Sequence, residues 1–599
     1  MSRAPWSTTR LGLAVVAAGV TGLLAGCGRA ATPPADPAAS ARTALEALFE
    51  REWQWRLEDS PLLASSIGDH RYDDRLQDVS AAAFAARRSR TEAFLDELAA
   101  IDRDRLAPAD RINYDMFRAQ LDERRQAWSF DEHLMPLNAD SGFHAELALM
   151  HRQMPFATAD DYRKYLARLA AIPRYVDGHI ALMREGLSKG VTIPRAALAG
   201  IETSIEPLAA GPAERHALWE PFTRMPASLD AAARADLEAR ARATLTDQVV
   251  PAYGRFLEFI TKEYLPGARE TLAASDLPRG ADYYAFLVRR FTTLDLTADE
   301  VHQIGLEQVA ALEAEMDQAM RATGFKGSFA EFLRFLRTDP RFYPKTADEL
   351  LSRASFIAKR MDGKLPSLFG RLPRQPYGVE PVPAYLAPKY TAGRYSGNPP
   401  TGTEPGYYWV NTYALDTRPL YNLEALTLHE AVPGHHLQIA LSYEIENIPP
   451  FRRWSYISAF GEGWGLYAEW LGLEAGFYTD PYSNVGRLTY SMWRAARLVV
   501  DTGLHAKGWT RQQAIDYLAS QTALSVHECT TEVDRYISWP GQALSYKMGE
   551  LKIRELRARA EETLGPRFDV RRFHDVVLGH GAVPLPVLEQ IVDAYLAAP

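Results

Sequence analysis

His429-Glu430-Ala431-Val432-Pro433-Gly434-His435-His436, followed after a short gap by Gly461-Glu462-Gly463-Trp464-Gly465-Leu466-Tyr467-Ala468-Glu469, is the stretch whose side chains decide the reading. The first offers imidazoles beside a carboxylate. The second offers further carboxylates on what reads as another helix. Together these side chains can hold a divalent metal and activate water, so the expectation is a zinc hydrolase built on helices.

The spacing departs from H-E-x-x-H, whose histidines lie four apart on one helical face. Here the second histidine is six or seven positions on. At about 1.5 Å of rise per residue, an unbroken helix would separate the two by roughly 9 to 10.5 Å. Two nitrogens on one tetrahedral zinc, with bonds of about 2.0 to 2.1 Å, stand only about 3.4 Å apart. Pro433-Gly434 can shorten the path, because proline removes a helical N–H and clashes with the preceding turn while glycine tolerates positive φ. The sequence therefore predicts a bulge or break there. His435 then takes the second-ligand position. The angular argument favours the alternate His436, since seven residues at about 100° nearly close two turns, but axial distance favours His435. Glu430, one residue past the first ligand, falls to the role of general base.

A third ligand has to come from farther along. Glu462 and Glu469 share one face of a helix predicted over 458–473, with Glu462 the first choice for the metal and Glu469 its alternate. Glu469 or Asp501 would then accept a hydrogen bond from a ligand imidazole. A lone glutamate is more often a solvated surface charge. The glycines and aromatics around Glu462 read instead as packed interior, where a carboxylate needs a cation.

Other candidates follow from the chemistry of amide hydrolysis, which builds negative charge on the carbonyl oxygen. Tyr546 is the first candidate to stabilise it, with His505 and Tyr536 behind; a core tyrosine with a satisfied hydroxyl is an equally good reading. Arg497 and Arg535 could grip a substrate carboxylate in a bidentate fork, as exopeptidases require, although their charge-rich helices favour structural salt bridges. His574 and His580 read as packing or capping residues. Tyr407 to Thr412, with Asn411 as a candidate substrate contact, carries a strand signal between breakers. That strand offers an open edge to an extended peptide, or is one strand of a small structural sheet.

The two motif stretches, with Pro540-Gly541-Gln542-Ala543-Leu544-Ser545-Tyr546-Lys547-Met548-Gly549, resemble the bacterial DUF885 family. The resemblance runs from about residue 45 to the C terminus and includes Asp161-Tyr162 and Gly186-Leu187. It implies a similarity in outline to the helical gluzincin peptidases, in which two histidines and a downstream glutamate bind zinc. It further implies a large multi-helix fold with a deep cleft, a small β element beside the metal helix, and peptide substrates.

The rest of the chain bounds these readings. At 599 residues, 47% hydrophobic and 24% charged, it has the composition of an ordinary globular protein. A net charge of −9 with no basic stripe argues against nucleic acid. Arg3 and Arg10 precede an apolar run from Leu11 to Gly26, the layout of a secretory signal. The run is shorter than the roughly 20 residues that span a bilayer comfortably. Leu24-Ala25-Gly26-Cys27 resembles a lipobox, so residues 1–26 are expected to be a signal peptide and Cys27 the lipidated anchor. Residues 27–40 read as a flexible tether. Gly28 after the cysteine implies an outer-membrane address facing the periplasm. With Cys27 used, only Cys529 remains, so no intrachain disulfide is expected.

From residue 41 onward, apolar residues return at three and four positions, with prolines at the joints, predicting a mainly α protein and a single helical catalytic domain. Residues 41–375 are expected to wall a cleft over a metal site built by 376–599. Two rivals remain beside a zinc peptidase: a zinc amidase or deacylase acting on a non-peptide amide, and a non-catalytic metal-binding envelope lipoprotein. A structural zinc is closed by four protein ligands, whereas a catalytic one has three and an open position.

Overall fold

The structure, a computed structural model, describes residues 37–139, 141–398 and 404–598. Cys27, the expected signal peptide and most of the expected tether lie outside the described residues. The last part of that tether is already helical, because helix α1 spans Pro37–Asp59. Proline suits the first turn of a helix and the alanines after it extend it readily. Among the described residues no helix is long and apolar enough to cross a membrane.

The chain is mainly α, as the periodicity predicts. Helix α2 (Ala159–Lys189) is opened by a capping box between Thr158 and Asp161, and α3 (Ala298–Ala322) by one between Thr297 and Glu300. The helix predicted near 231–264 is interrupted by two π turns, Leu245–Val249 and Ile260–Tyr264, each ending two residues before a proline, Pro251 and Pro266. A wide turn there accommodates residues that cannot donate into the ladder.

Three strands form the small sheet: β1 (Tyr377–Pro381), β2 (Gly393–Ser396) and β3 (Gly406–Val410). The order is β1-β3-β2, with β3 parallel to β1 and antiparallel to β2. The strand expected to present an open edge is thus the central one, paired on both sides. The edge that faces the site belongs to β2, whose residues sit at the start of the turn-rich segment rather than in the aromatic run.

The site rests on six helices: α4 (Leu423–Glu430), α5 (His435–Tyr443), α6 (Ser458–Leu471), α7 (Pro481–Ala506), α8 (Val526–Ser538) and α9 (Ser545–Leu564). The two most extensive helix pairings are α3 with α7 and α6 with α9. The second brings backbones close together. A Cβ added to Gly549 would stand 1.9 Å from the Ala459 carbonyl oxygen and 2.7 Å from the Gly463 Cα. The principal apolar core draws members from Leu45 to Val592, so both halves of the chain share it, and two smaller clusters stand beside it.

Gly549→Ala should therefore force α6 and α9 apart and lower stability by about 3 kcal/mol, the upper end of an overpacking cost. Denaturant unfolding measures it. An unchanged midpoint would mean that the helices can shift freely, contrary to the contact described.

Candidate metal centre

The helix ends at Glu430 and a new one begins at His435, so the prolyl-glycyl pair produces a full break rather than a bulge. Gly434 donates its N–H to the Leu428 carbonyl at 3.0 Å, and His436 to that of Ala431 at 3.1 Å. A Cβ on Gly434 would lie 1.9 Å from the His429 carbonyl oxygen, so only glycine allows this return. The Trp464 indole N–H caps the loop by donating to the Pro433 carbonyl at 2.8 Å. The Val432–Pro433 peptide is cis. The reversal brings the His435 ring to 4.7 Å from that of His429, at 89°.

Both imidazoles converge on one carboxylate oxygen. Glu462 Oε2 lies 3.5 Å from His429 Nε2 and 3.3 Å from His435 Nε2. These separations match the spacing of about 3.4 Å between ligands of a tetrahedral zinc. Glu462 Oε2 is buried with no hydrogen-bond partner, which is the condition of a ligand atom waiting for a cation. Among the described residues, His429, His435 and Glu462 form the cluster whose donor atoms all lie within 4.8 Å of one another. The donor set fits zinc, which takes imidazole nitrogen and carboxylate oxygen together.

Glu469 sits behind this set. Its Oε1 accepts from His429 Nδ1 at 2.8 Å and also meets Arg494 Nη2 at 3.3 Å. Fixing the proton on Nδ1 leaves Nε2 to face the metal position. Gly465, one turn before Glu469, makes room for the ring: a Cβ there would stand 2.7 Å from His429 Cε1. Burial lowers the affinity of His429 for a proton, but Glu462 and Glu469 outweigh it and raise its pKa to about 10. Burial would raise the Glu462 carboxyl, but His435 and His429 outweigh it and hold Glu462 well below the usual carboxylate range. A cation held by this cluster would have to displace the proton that these carboxylates favour on His429.

Several expected roles are corrected. His436 is no ligand: its Nε2 donates to the Gln375 carbonyl at 3.1 Å and its Nδ1 accepts from the Tyr395 hydroxyl at 3.0 Å, while burial lowers its pKa to about 4. Asp501 is not the acceptor behind the ligands, being engaged by the Tyr284 hydroxyl and the Gly541 N–H, with burial pushing it up to about 7. His505 is fully buried, accepting from the Ala274 N–H and donating to the Tyr536 carbonyl, so it pins backbone rather than substrate. Tyr536 is equally buried, and its hydroxyl accepts from Trp493 and from Arg497 Nε. Asn411 donates to the carbonyls of Ala387 and Tyr390 and holds the turn that leads into β2, away from the metal cavity. His574 is a packing residue, bonded to Tyr467 and to the Leu368 carbonyl.

The ligands open on a cavity of about 230 Å³. All of its lining comes from residues 391–546; the first half of the chain contributes instead to an adjoining cavity of about 350 Å³ that shares Trp539 with it. Glu430 lines the metal cavity with its Oε2 held by the Tyr395 N–H at 2.8 Å, so the edge strand β2 fixes the carboxylate. Tyr546 also lines it, and its hydroxyl accepts from Arg535 Nη2 at 3.2 Å and Gln542 Nε2 at 3.5 Å. That leaves the phenolic proton to donate into the cavity. Arg497 and Arg535 both reach the cavity, yet both also bond Glu532, so the fork edge of Arg497 is already in use. Arg494 and Tyr456 are among the lining residues that no sequence argument reaches. Arg494 stands one turn before Arg497 on α7, a pairing visible in the spacing alone. Tyr456 lies half-exposed in a loop with no local signal and lines the cavity beside Glu462.

A metal-free preparation should lose stability as pH rises. The elevated His429 pKa contributes stability that is complete below about pH 6.5 and is lost as pH climbs through about 10. Denaturant titrations of chelator-treated and zinc-loaded protein across that window test this; parallel curves would remove His429 from the cation site. Glu469→Gln should weaken metal affinity by about 10- to 100-fold, read by competition with a chelating dye.

No curated protein matches the chain. Among solved structures, a protein from Colwellia psychrerythraea, provisionally assigned as a lipoprotein, is similar with a TM-score of 0.85 and 30% identity, over 93% of this chain and 99% of that one. Another from Shewanella oneidensis, provisionally assigned as a lipoprotein of unknown function, has a TM-score of 0.65 and 18% identity, over 92% of this chain and 99% of that one, a similarity of fold alone. The profile of a family of bacterial proteins of unknown function matches residues 61–592, and the chain accordingly belongs to DUF885.

Proposed function

We propose that this protein is a zinc-dependent metallopeptidase, exported and tethered through Cys27 to the outer membrane on its periplasmic side, that cleaves short peptides. The observation that carries the reading is the three-residue donor set of His429, His435 and Glu462, opening on a cavity beside Glu430. Three protein ligands suit a catalytic metal, and a fourth from His436 is prevented by its two hydrogen bonds. This favours an enzyme over a non-catalytic metal-binding lipoprotein.

Zinc, when bound, supplies Lewis acidity to water and to a substrate carbonyl. The chain's own residues do the rest. Glu430, with Oε2 fixed by β2, has its other oxygen available to take the proton of the attacking water and pass it to the departing amine. Tyr546 donates its phenolic proton toward the carbonyl oxygen as charge develops there. Glu469 keeps the His429 ring in one orientation throughout. A peptide is favoured over another amide because residues 391–395, which include the start of edge strand β2, line the cavity, giving an extended main chain a strand to run beside.

Metal analysis of purified protein, with hydrolysis of a peptide mixture followed by mass spectrometry, tests the reading. Glu430→Gln should retain the metal and lose about 10²- to 10⁴-fold in kcat. Tyr546→Phe should lower kcat by about 10²- to 10³-fold with little change in KM. Full turnover in the Glu430 variant would take the role of base away from Glu430, and absence of any hydrolysis by the parent protein would return the site to a binding role.

A further inference from the structure

Of the four arginines that line the same cavity, Arg494, Arg497 and Arg535 stand together on α7 and α8 and share few carboxylates. Arg497 Nη2 and Arg535 Nη1 share a single oxygen, Glu532 Oε2, at 2.8 and 3.2 Å. Arg494 meets only Glu469, which is already bonded to His429. Glu528 is the remaining carboxylate in their field; it faces Arg418, and burial pushes its pKa up to about 7. Positive charge is therefore in excess here, one ring away from the negative metal ligands.

Arg497 is the most committed of the three. It is 1% exposed, and its guanidinium is clamped between the Trp493 and Tyr546 rings, 4.1 and 4.3 Å from their centroids. Its Nε and Nη2 are bonded to Tyr536 and Glu532, but its Nη1 is buried without a hydrogen-bond partner. Arg494 Nε is in the same state one turn earlier. Leaving charged N–H groups dry and unpaired is costly, and such groups persist where a ligand completes them. An immobilised, desolvated guanidinium also loses little entropy on gaining an acceptor.

We infer that Arg497, with Arg494 beside it, is a recognition site for a carboxylate carried by the substrate, which makes the protein a carboxy-terminal exopeptidase if the hydrolase reading on which that activity rests is right. The Tyr546 ring spans the interval, 6.1 Å from the His429 ring on one side and in contact with Arg497 on the other. An extended chain advances about 3.3 to 3.6 Å per residue, so this interval holds one or two residues beyond the cleaved bond. The products are then free amino acids or dipeptides, and the wall of arginines closes the cavity to longer leaving segments.

A peptide offers a carboxylate at its C terminus or on an acidic side chain, and three versions of one pentapeptide separate these sources: the free acid, the C-terminal amide, and the amide ending in glutamate. Binding is measured by calorimetry to zinc-loaded Glu430→Gln protein, and cleavage with the zinc-loaded wild type. The free acid should bind at least about tenfold more tightly than the plain amide. Equal gain by the glutamate amide would assign the carboxylate to a side chain. Arg497→Gln should abolish the discrimination and Arg497→Lys restore part of it, through KM rather than kcat; should both variants fold poorly, the three-peptide comparison on the parent protein still decides. Equal binding of all three peptides overturns the inference. Cleavage of acid and amide at equal rates overturns it while leaving the hydrolase reading intact, whereas discrimination in binding without cleavage of any peptide sinks that reading and spares this one.

Discussion

Glu462 Oε2 is a bare carboxylate oxygen buried between two imidazole nitrogens, and most of the local architecture can be understood from what that atom requires. A carboxylate out of water needs a cation, and one that touches two histidines at ligand-to-ligand distance is best served by a metal. To put the histidines there, the helix carrying them has to stop and restart within four residues, and the restart is possible only with no side chain at Gly434. To seat the first ring, α6 has to present bare backbone at Gly465. To hold α6 against its neighbour, α9 has to do the same at Gly549. Each glycine removes a side chain where two backbones or a ring must nearly touch.

Electrostatics divides the cavity in two. Glu430, Glu462 and Glu469 make one side negative, and Arg494, Arg497 and Arg535 make the facing side positive. Arg494 and Glu469 join the two halves, so a change in either is felt in both. The low permittivity of the surrounding packed rings strengthens both fields relative to water. Such an arrangement would orient a dipolar ligand held between the two sides.

Local features made the clustering of His429, His435 and Glu462 legible in the sequence: a histidine-carboxylate pair, a proline-glycine breaker, and glutamates set among glycines and tryptophan. The axial-distance argument distinguished His435 from His436 because it depends only on helix geometry. What escaped the sequence is what depends on tertiary burial. His505, Tyr536 and Asn411 carry plausible chemistry as residue types, but their polar atoms are consumed by main chain or by one another. Tyr456 gave no signal because its role follows from how a loop folds over Glu462. The helical class was readable from periodicity, whereas the pairing of β3 on both sides was not, since nothing local to residues 406–410 tells a central strand from an edge strand.

The principal core, whose members run from Leu45 to Val592, has an effect on how the molecule can be handled and how it can vary. Although every side chain lining the cavity beside His429 comes from residues 391–546, that segment does not stand as a unit of its own, because its helices bury their apolar faces against partners hundreds of residues away. A cut in the first half would therefore unsettle the cluster without touching any of its three side chains. The site and its whole scaffold are inherited together.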